Sequence, residues 1–426
     1  MAFRFVHAAD IHLDSPLRSL ALRDAALAEL IGNATRRAFT AIVDLCLDER
    51  VDALLLVGDL YDGEQTSMKT ARFLAEQLRR LDAAGVRVFI IRGNHDADSR
   101  ITTELTLPDS VKIFTGRADA VTFAVAGGLS VALHGMSFRR PAAPDCLLPN
   151  YRAPVADALN IGLMHTSLDG SPGHDVYAPC KLIDLQNSGF TYWALGHIHK
   201  RVVYPGQTTV VMPGMPQGRD INEAGMKSVT LVTIADDRSV QVKEHPTSIA
   251  QFERVIVDVT SLSDWRDIVS AIGQGLSQAK MASRSEHVIA RLRVNGTTPL
   301  AWRLRQDIEL LKGEAADRAG ALGNCWVEGV EVVCQAPAAT ASVEAAGVEP
   351  LLELRRLIET DVVPSEPFQA DIQAIADELR KQLPRDYSGI LRGDEAAFAS
   401  LIGDVVRGGV EEVLARLQPR DGMGNA

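Results

Sequence analysis

Five short clusters hold the side chains able to do chemistry: Asp10-x-His12, Gly58-Asp59-x-x-Asp62, Gly93-Asn94-His95-Asp96, His165 after an apolar run, and Gly196-His197-x-His199. All supply oxygen or imidazole nitrogen and none a thiolate. That mixture suits borderline to hard divalent ions such as Mn, Fe or Zn and argues against a structural zinc knuckle. In extended chain, residues i and i+2 point the same way, so Asp10 with His12 and His197 with His199 each present two donors to one centre. The seven donors Asp10, His12, Asp59, Asn94, His165, His197 and His199 exceed the needs of one ion and suit two that share a carboxylate. We assign Asp10, His12 and His199 to one ion, Asn94, His165 and His197 to the other, and Asp59 to the bridge. Two ions roughly 3.5–4 Å apart hold water between them, lower its pKa and clamp a phosphate for in-line attack. The chemistry indicated is hydrolysis of a phosphoester. His95, beside a ligand, is placed to protonate or stabilise the leaving oxygen, with Asp96 to orient it.

Taken singly these signals are weak. An isolated Asp-x-His or Gly-Asp is common by chance, and His165 alone would read as a satisfied core histidine. His7, His134 and His174 read as ordinary or supporting residues, and Asp62 as either a loop carboxylate or a group behind the ligands. The order of the five clusters and their placement after strands carry the assignment jointly.

Those strands come from an alternating pattern. RFVHAAD, DALLLVGD and VRVFIIRGNHD are apolar strand-like runs, separated by helical stretches from about Asn33 to Arg50 and from about Met68 to Ala84. In α/β sheets, ligands gather at the carboxyl ends of strands, so the clusters are expected to meet. From about Val121 the strands shorten (FAVAGGLSVALHGM, NIGLMHT, TYWALGHIH, VVYPGQTTVVMPG), which predicts a second sheet packed on the first. SVTLVTI and SVQVKEH form a hairpin about Asp236 and Asp237 that closes this domain near Pro246. The expected domains are residues 1–248, a small α+β domain over 249–335, an Ala-rich linker over 336–350 and a helical segment over 351–426.

Composition limits the rest. The opening MAFRFVHAADIHLDS lacks the basic and long apolar regions of a signal peptide, and no stretch approaches the ~20 apolar residues of a membrane span, so a cytoplasmic location without membrane contact is expected. Five scattered cysteines without a CxxC pair suit reduced, structural thiols. The formal charge of −11 argues against a surface that coats nucleic acid throughout, without excluding a local basic track.

Through ADIHLDS, VGDLYD, RGNHD, MHTSLDG and ALGHIH the chain resembles the calcineurin-like metallophosphoesterases over about residues 1–245. ADIHLDSPL, HTSLDG followed by YAPC, YWALGHIHK and PGMPQGRDINEAGMKS are similar to the SbcD-type DNA repair exonucleases, particularly their YhaO-like branch. The resemblance implies a metallophosphoesterase β-sandwich flanked by helices, with 249–335 as a capping domain. It also implies a Mn²⁺-dependent exonuclease or phosphodiesterase that processes DNA ends, an SbcC-type SMC-like ATPase partner docked on the C-terminal helices, and homodimerisation.

The residues themselves say less about DNA. Arg92, Arg139, Arg140, Lys200, Arg201 and Arg219 could form a basic rim for backbone phosphates, and Tyr61 and Tyr177 could stack on bases; solvated surface and packing are the ordinary readings of each. Two alternatives stand beside the nuclease: a small-molecule or cyclic-nucleotide phosphodiesterase or phosphatase, and a weakly catalytic DNA-binding subunit of an ATPase complex.

Overall fold

The computed structural model describes residues 2–15, 25–62, 67–97, 106–125, 128–169, 176–337, 349–382 and 395–417. His174 and most of the expected linker lie outside the described residues. The chain divides into two compact units, Met1–Phe252 with Ser283–His287, and Glu253–Ala282 with Val288–Ala426.

In the first unit β1 (Ala2–Ala8), β2 (Ala53–Val57) and β3 (Arg87–Ile91) run parallel, joined by α1 (Ala25–Asp48) and α2 (Met68–Ala83). β4 (Val111–Ile113) extends this sheet beyond β3. The second sheet contains β5 (Asp119–Ala124), β6 (Ser130–Gly135), β7 (Leu159–His165), β8 (Tyr192–Gly196), β9 (Val202–Tyr204) and β10 (Thr209–Met212). Its order is β5-β6-β7-β8-β10-β9, with β6, β7 and β8 parallel.

Strand alternation explains the layering. Leu54, Leu56, Val88 and Ile90 pack toward α1 and α2, while their neighbours Ala53, Leu55, Val57, Phe89 and Ile91 face Ile161, Leu163, Tyr192 and Ala194 between the sheets. The opposite face of the second sheet buries Met164, Trp193, Leu195, Val210 and Met212 with Leu185 of the short helix α3 (Leu182–Gln186). Central strands covered on both sides read as continuous apolar runs, as ALLLV does.

Two elements differ in detail from the sequence reading. Helix α1 begins at Ala25 rather than near Asn33; Gly32 lies inside the helix, where an added Cβ would meet nothing. The hairpin of β11 (Ser228–Ala235) and β12 (Val240–Pro246) leaves the second sheet and returns to the first, β11 pairing antiparallel with β1.

The second unit has a three-stranded sheet of β13 (Ala250–Asp258), β14 (His287–Asn295) and β15 (Cys325–Val332), covered by α4 (Trp265–Ala282), α5 (Ala301–Gln306) and α6 (Ile308–Leu322). β13 begins in the first unit and β14 at its edge. Leu351 of α7 (Glu349–Leu357) and Leu414 of α9 (Glu395–Leu417) enter the same core. Glu411 accepts the indole N–H of Trp302 at 2.9 Å and pairs with Arg355 at 2.9 Å. These two helices therefore share one core with the α+β sheet. Between them α8 (Glu366–Gln382) keeps Ile375 and Leu379 exposed. No helix of the described residues is long and apolar enough to cross a membrane.

Candidate metal centre

The parallel strands of both sheets end at the same place. Asp10 and His12 follow β1, Asp59 follows β2, Asn94 and His95 follow β3, His165 is the last residue of β7, and His197 and His199 follow β8. Turning each side chain inward demands unusual backbone. Asp10 (φ 53°), His12 (φ 47°), Asp59 (φ 52°) and His197 (φ 102°) all adopt positive φ. Non-glycine residues held there carry local strain, which surrounding structure must hold in place. Three glycines give the room: a Cβ on Gly58 or Gly196 would strike the His165 ring, and one on Gly93 would strike both Asp59 and His165.

All seven expected donors are brought together. Asp10, His12 and His199 converge as one group and Asp59, His165 and His197 as another. Asn94 joins the second, its Oδ1 3.1 Å from His165 Nε2, while Asp59 Oδ2 lies 3.3 Å from that same nitrogen. Asp10, Asp59, His12, His165 and His197 are buried.

The imidazoles are fixed from behind. His165 Nδ1 meets the Val57 carbonyl at 3.0 Å, His199 Nδ1 meets Glu223 Oε1 at 2.8 Å, and His12 Nδ1 is hydrogen-bonded to Asp62 Oδ1. A ring that donates through Nδ1 presents the Nε2 lone pair on its other side, the arrangement that orients metal-binding histidines. The Nε2 atoms of His12 and His199 face one another at 3.4 Å. Two lone pairs so placed are compatible when a cation lies between them, so the donor set fits divalent ions. Asp10 in turn accepts the His197 backbone N–H at 3.0 and 3.1 Å, which ties the β1 and β8 ends together.

Charge reinforces this picture. Burial would push Asp59 up and His165 down, but their proximity reverses both: the carboxylate stays far below its ordinary range and the imidazole rises. Burial and the Asp59 charge push Asp96 up to about 7. Glu223 and Asp62 are held low against their burial, Glu223 by His199 and Arg219 and Asp62 by His12.

Several expectations change here. Asp96 does not face His95; its two oxygens accept the N–H groups of Gly93 (2.6 Å) and Leu60 (3.0 Å), clasping the loops after β2 and β3. The carboxylate beside His95 is Asp62, 3.3 Å from His95 Nδ1. Tyr61 cannot stack on a base, because it is wholly buried and bridges Leu13. Tyr177 is half-buried with its ring 5.4 Å from that of His197.

The basic rim is largely engaged within the protein. Arg219 pairs with Glu223, Arg201 bonds Thr230 and lies 3.6 Å from Glu244, and Arg139 donates to the Gly116 carbonyl. Arg92 is half-buried and reaches the Ala97 carbonyl at 3.5 Å. Arg140 and Lys200 are exposed. His7 spans the sandwich from Tyr192 Oη (3.0 Å) to the Leu195 carbonyl (2.9 Å), and His134 bonds Asn160, so both buried rings serve the fold. Sequence reasoning missed Glu223, whose only signal is an acid within the Gly- and Pro-rich segment after β10.

Comparison with known proteins agrees with this geometry. The calcineurin-like phosphoesterase model matches residues 3–201, and that of the middle domain of metallophosphoesterase YhaO matches residues 252–335. The chain is 33% identical over 302 residues to the uncharacterized metallophosphoesterase YhaO of Bacillus subtilis, covering 70% of this chain and 73% of that protein. It is also similar to DNA double-strand break repair proteins Mre11. Identity is 25% over 225 residues with that of Methanocaldococcus jannaschii (49% of this chain, 57% of that protein) and 27% over 290 residues with that of Aeropyrum pernix (64% and 67%). With its convergent donors, its layered fold and these matches, the chain belongs to the calcineurin-like metallophosphoesterases, in their YhaO-like branch.

Proposed function

We propose that this phosphoester hydrolase is a DNA phosphodiesterase that works from ends or on single strands with two Mn²⁺ ions. Asp10, His12 and His199 would hold one ion, Asn94, His165 and His197 the other, and Asp59 would serve both. The observation that carries the reading is the convergence of these donors beside an accessible imidazole, His95, whose side chain is 45% exposed. When bound, the ions supply activation of water and neutralisation of phosphate charge. The protein's own part is to orient the rings through Val57, Asp62 and Glu223, and to hold the partly exposed His95 against Asp62. From there His95 gives a proton to the departing sugar oxygen.

The similarity to Mre11 proteins supports DNA as substrate. The exposed Ile375, Leu379, Leu401 and Val405 of the C-terminal helices support docking of an SbcC-type ATPase, with homodimerisation in the assembled complex. A second reading, hydrolysis of a small phosphodiester, is favoured by one observation: most arginines expected to face DNA are bound to the protein's own groups. The deciding measurement is Mn²⁺-dependent turnover of end-labelled linear DNA against cyclic nucleotide and p-nitrophenyl phosphoesters. Preference for DNA is expected; turnover of the small esters alone would discard the nuclease reading.

A further inference from the structure

Arg219 is the junction of the groups that stand behind the first metal site. Its backbone N–H donates to Glu223 Oε2 at 2.7 Å and its Nη2 to Glu223 Oε1 at 2.8 Å, while Nη1 lies 3.6 Å from Asp62 Oδ2. Those two carboxylates are the ones that hold His199 and His12 by their Nδ1 atoms. The order is therefore His12, Asp62, Arg219, Glu223, His199, a chain whose two ends face each other at 3.4 Å. The Arg219 side chain is 20% exposed, that of Asp62 21% and that of Glu223 11%, so neither carboxylate has water enough to solvate it fully.

We propose that Arg219 is a positioning residue for the Asp10–His12–His199 ion, rather than a contact for substrate phosphate. This rests on the two-metal reading above. A guanidinium is planar and forked, and can engage two carboxylates at once while remaining charged. Without it, Asp62 and Glu223 repel one another in a poorly solvated space, and the rings they hold lose their mutual alignment. In the other donor group, the His165 ring is held by the Val57 carbonyl and not by this network. The effect is therefore selective for one of two sites. Outer partners of metal-binding histidines typically change affinity by about 10- to 100-fold.

The test is calorimetric titration of the full chain with MnCl₂, without substrate, for the wild type, Arg219→Gln and Arg219→Lys. The expected result is two binding steps in the wild type, one of them weakened about 10-fold or more by Arg219→Gln and less by Arg219→Lys, the other unmoved. A lysine keeps the charge but reaches one carboxylate at a time, so it keeps the inference testable should the glutamine variant fail to fold. Wild-type affinity at both steps in a folded variant, or equal weakening of both steps, overturns the proposal. So does an Arg219→Gln variant with normal Mn²⁺ binding whose only change is a higher KM for DNA and a shallower salt dependence. Failure of the wild type to bind two ions would sink the two-metal reading itself, an outcome distinct from any of these.

Discussion

The strand ends of the first unit and the helix-covered sheet of the second use buried polar groups for opposite purposes. Around the candidate metal centre, Asp10, Asp59, His12 and His165 are buried with their lone pairs aimed at one another, and three of these four sit at positive φ. In the second unit several buried polar groups pair with one another: Glu411 takes the Trp302 indole and Arg355, and Arg305 donates to the carbonyls of Ala301 and Cys334. Its apolar core contains no comparable convergence of metal donors among the described residues. Strain and facing lone pairs mark a place where fold stability has been given up for chemistry, whereas pairing such as that of Glu411 and Arg305 marks a place that holds shape.

Substitution should expose this contrast. Asp59→Ala is expected to abolish binding at both metal sites and to reduce turnover by on the order of 10³-fold or more, because ion chemistry is worth several kcal/mol. Elemental analysis of the purified variant and a phosphodiesterase assay check both halves. His95→Ala should keep two ions and lose ~10²- to 10⁴-fold in turnover, the range of a lost general acid; full activity would remove that role from His95.

In the second unit Glu411→Ala should instead destabilise by about 3 kcal/mol, since it leaves Arg355 and the Trp302 N–H without their buried partner. Turnover of a small phosphodiester, measured beside urea unfolding, should be unchanged. The smallest expected effect concerns His7, a buried ring within the catalytic unit but outside the donor set. Burial pulls its pKa down to about 3 from 6.5. The unfolded chain therefore binds a proton that the folded chain refuses between those values, and stability falls as pH drops through that window. Between pH 6.5 and 5 the loss is roughly 2 kcal/mol. His7→Gln should flatten this part of the pH dependence in urea unfolding, and an unchanged slope would show that His7 does not titrate this way.

Much of the first unit was legible along the chain because its signals are local. Strands buried on both faces read as apolar runs, and each donor cluster follows such a run directly, as Asp59 follows ALLLV. The middle region's order of strands and helices was legible for the same reason. Long-range partnership was not: the return of β11 to β1 spans most of the first unit, and periodicity along a segment is silent about its distant neighbour. The docking of Leu351 and Leu414 into the second core escaped for the same cause, since amphipathic spacing shows that a face is apolar without showing what covers it.

The sequence by itself determined which atoms are offered: carboxylate, amide and imidazole donors at strand ends, with Gly58, Gly93 and Gly196 leaving space among them. Only the tertiary structure decided what stands behind those atoms. Asp62 rather than Asp96 meets His95, Glu223 backs His199, and Arg219 lies between the carboxylates of Asp62 and Glu223. Donor type is a property of each residue, whereas the direction in which a ring presents its lone pair is set by hydrogen bonds to groups brought near by folding.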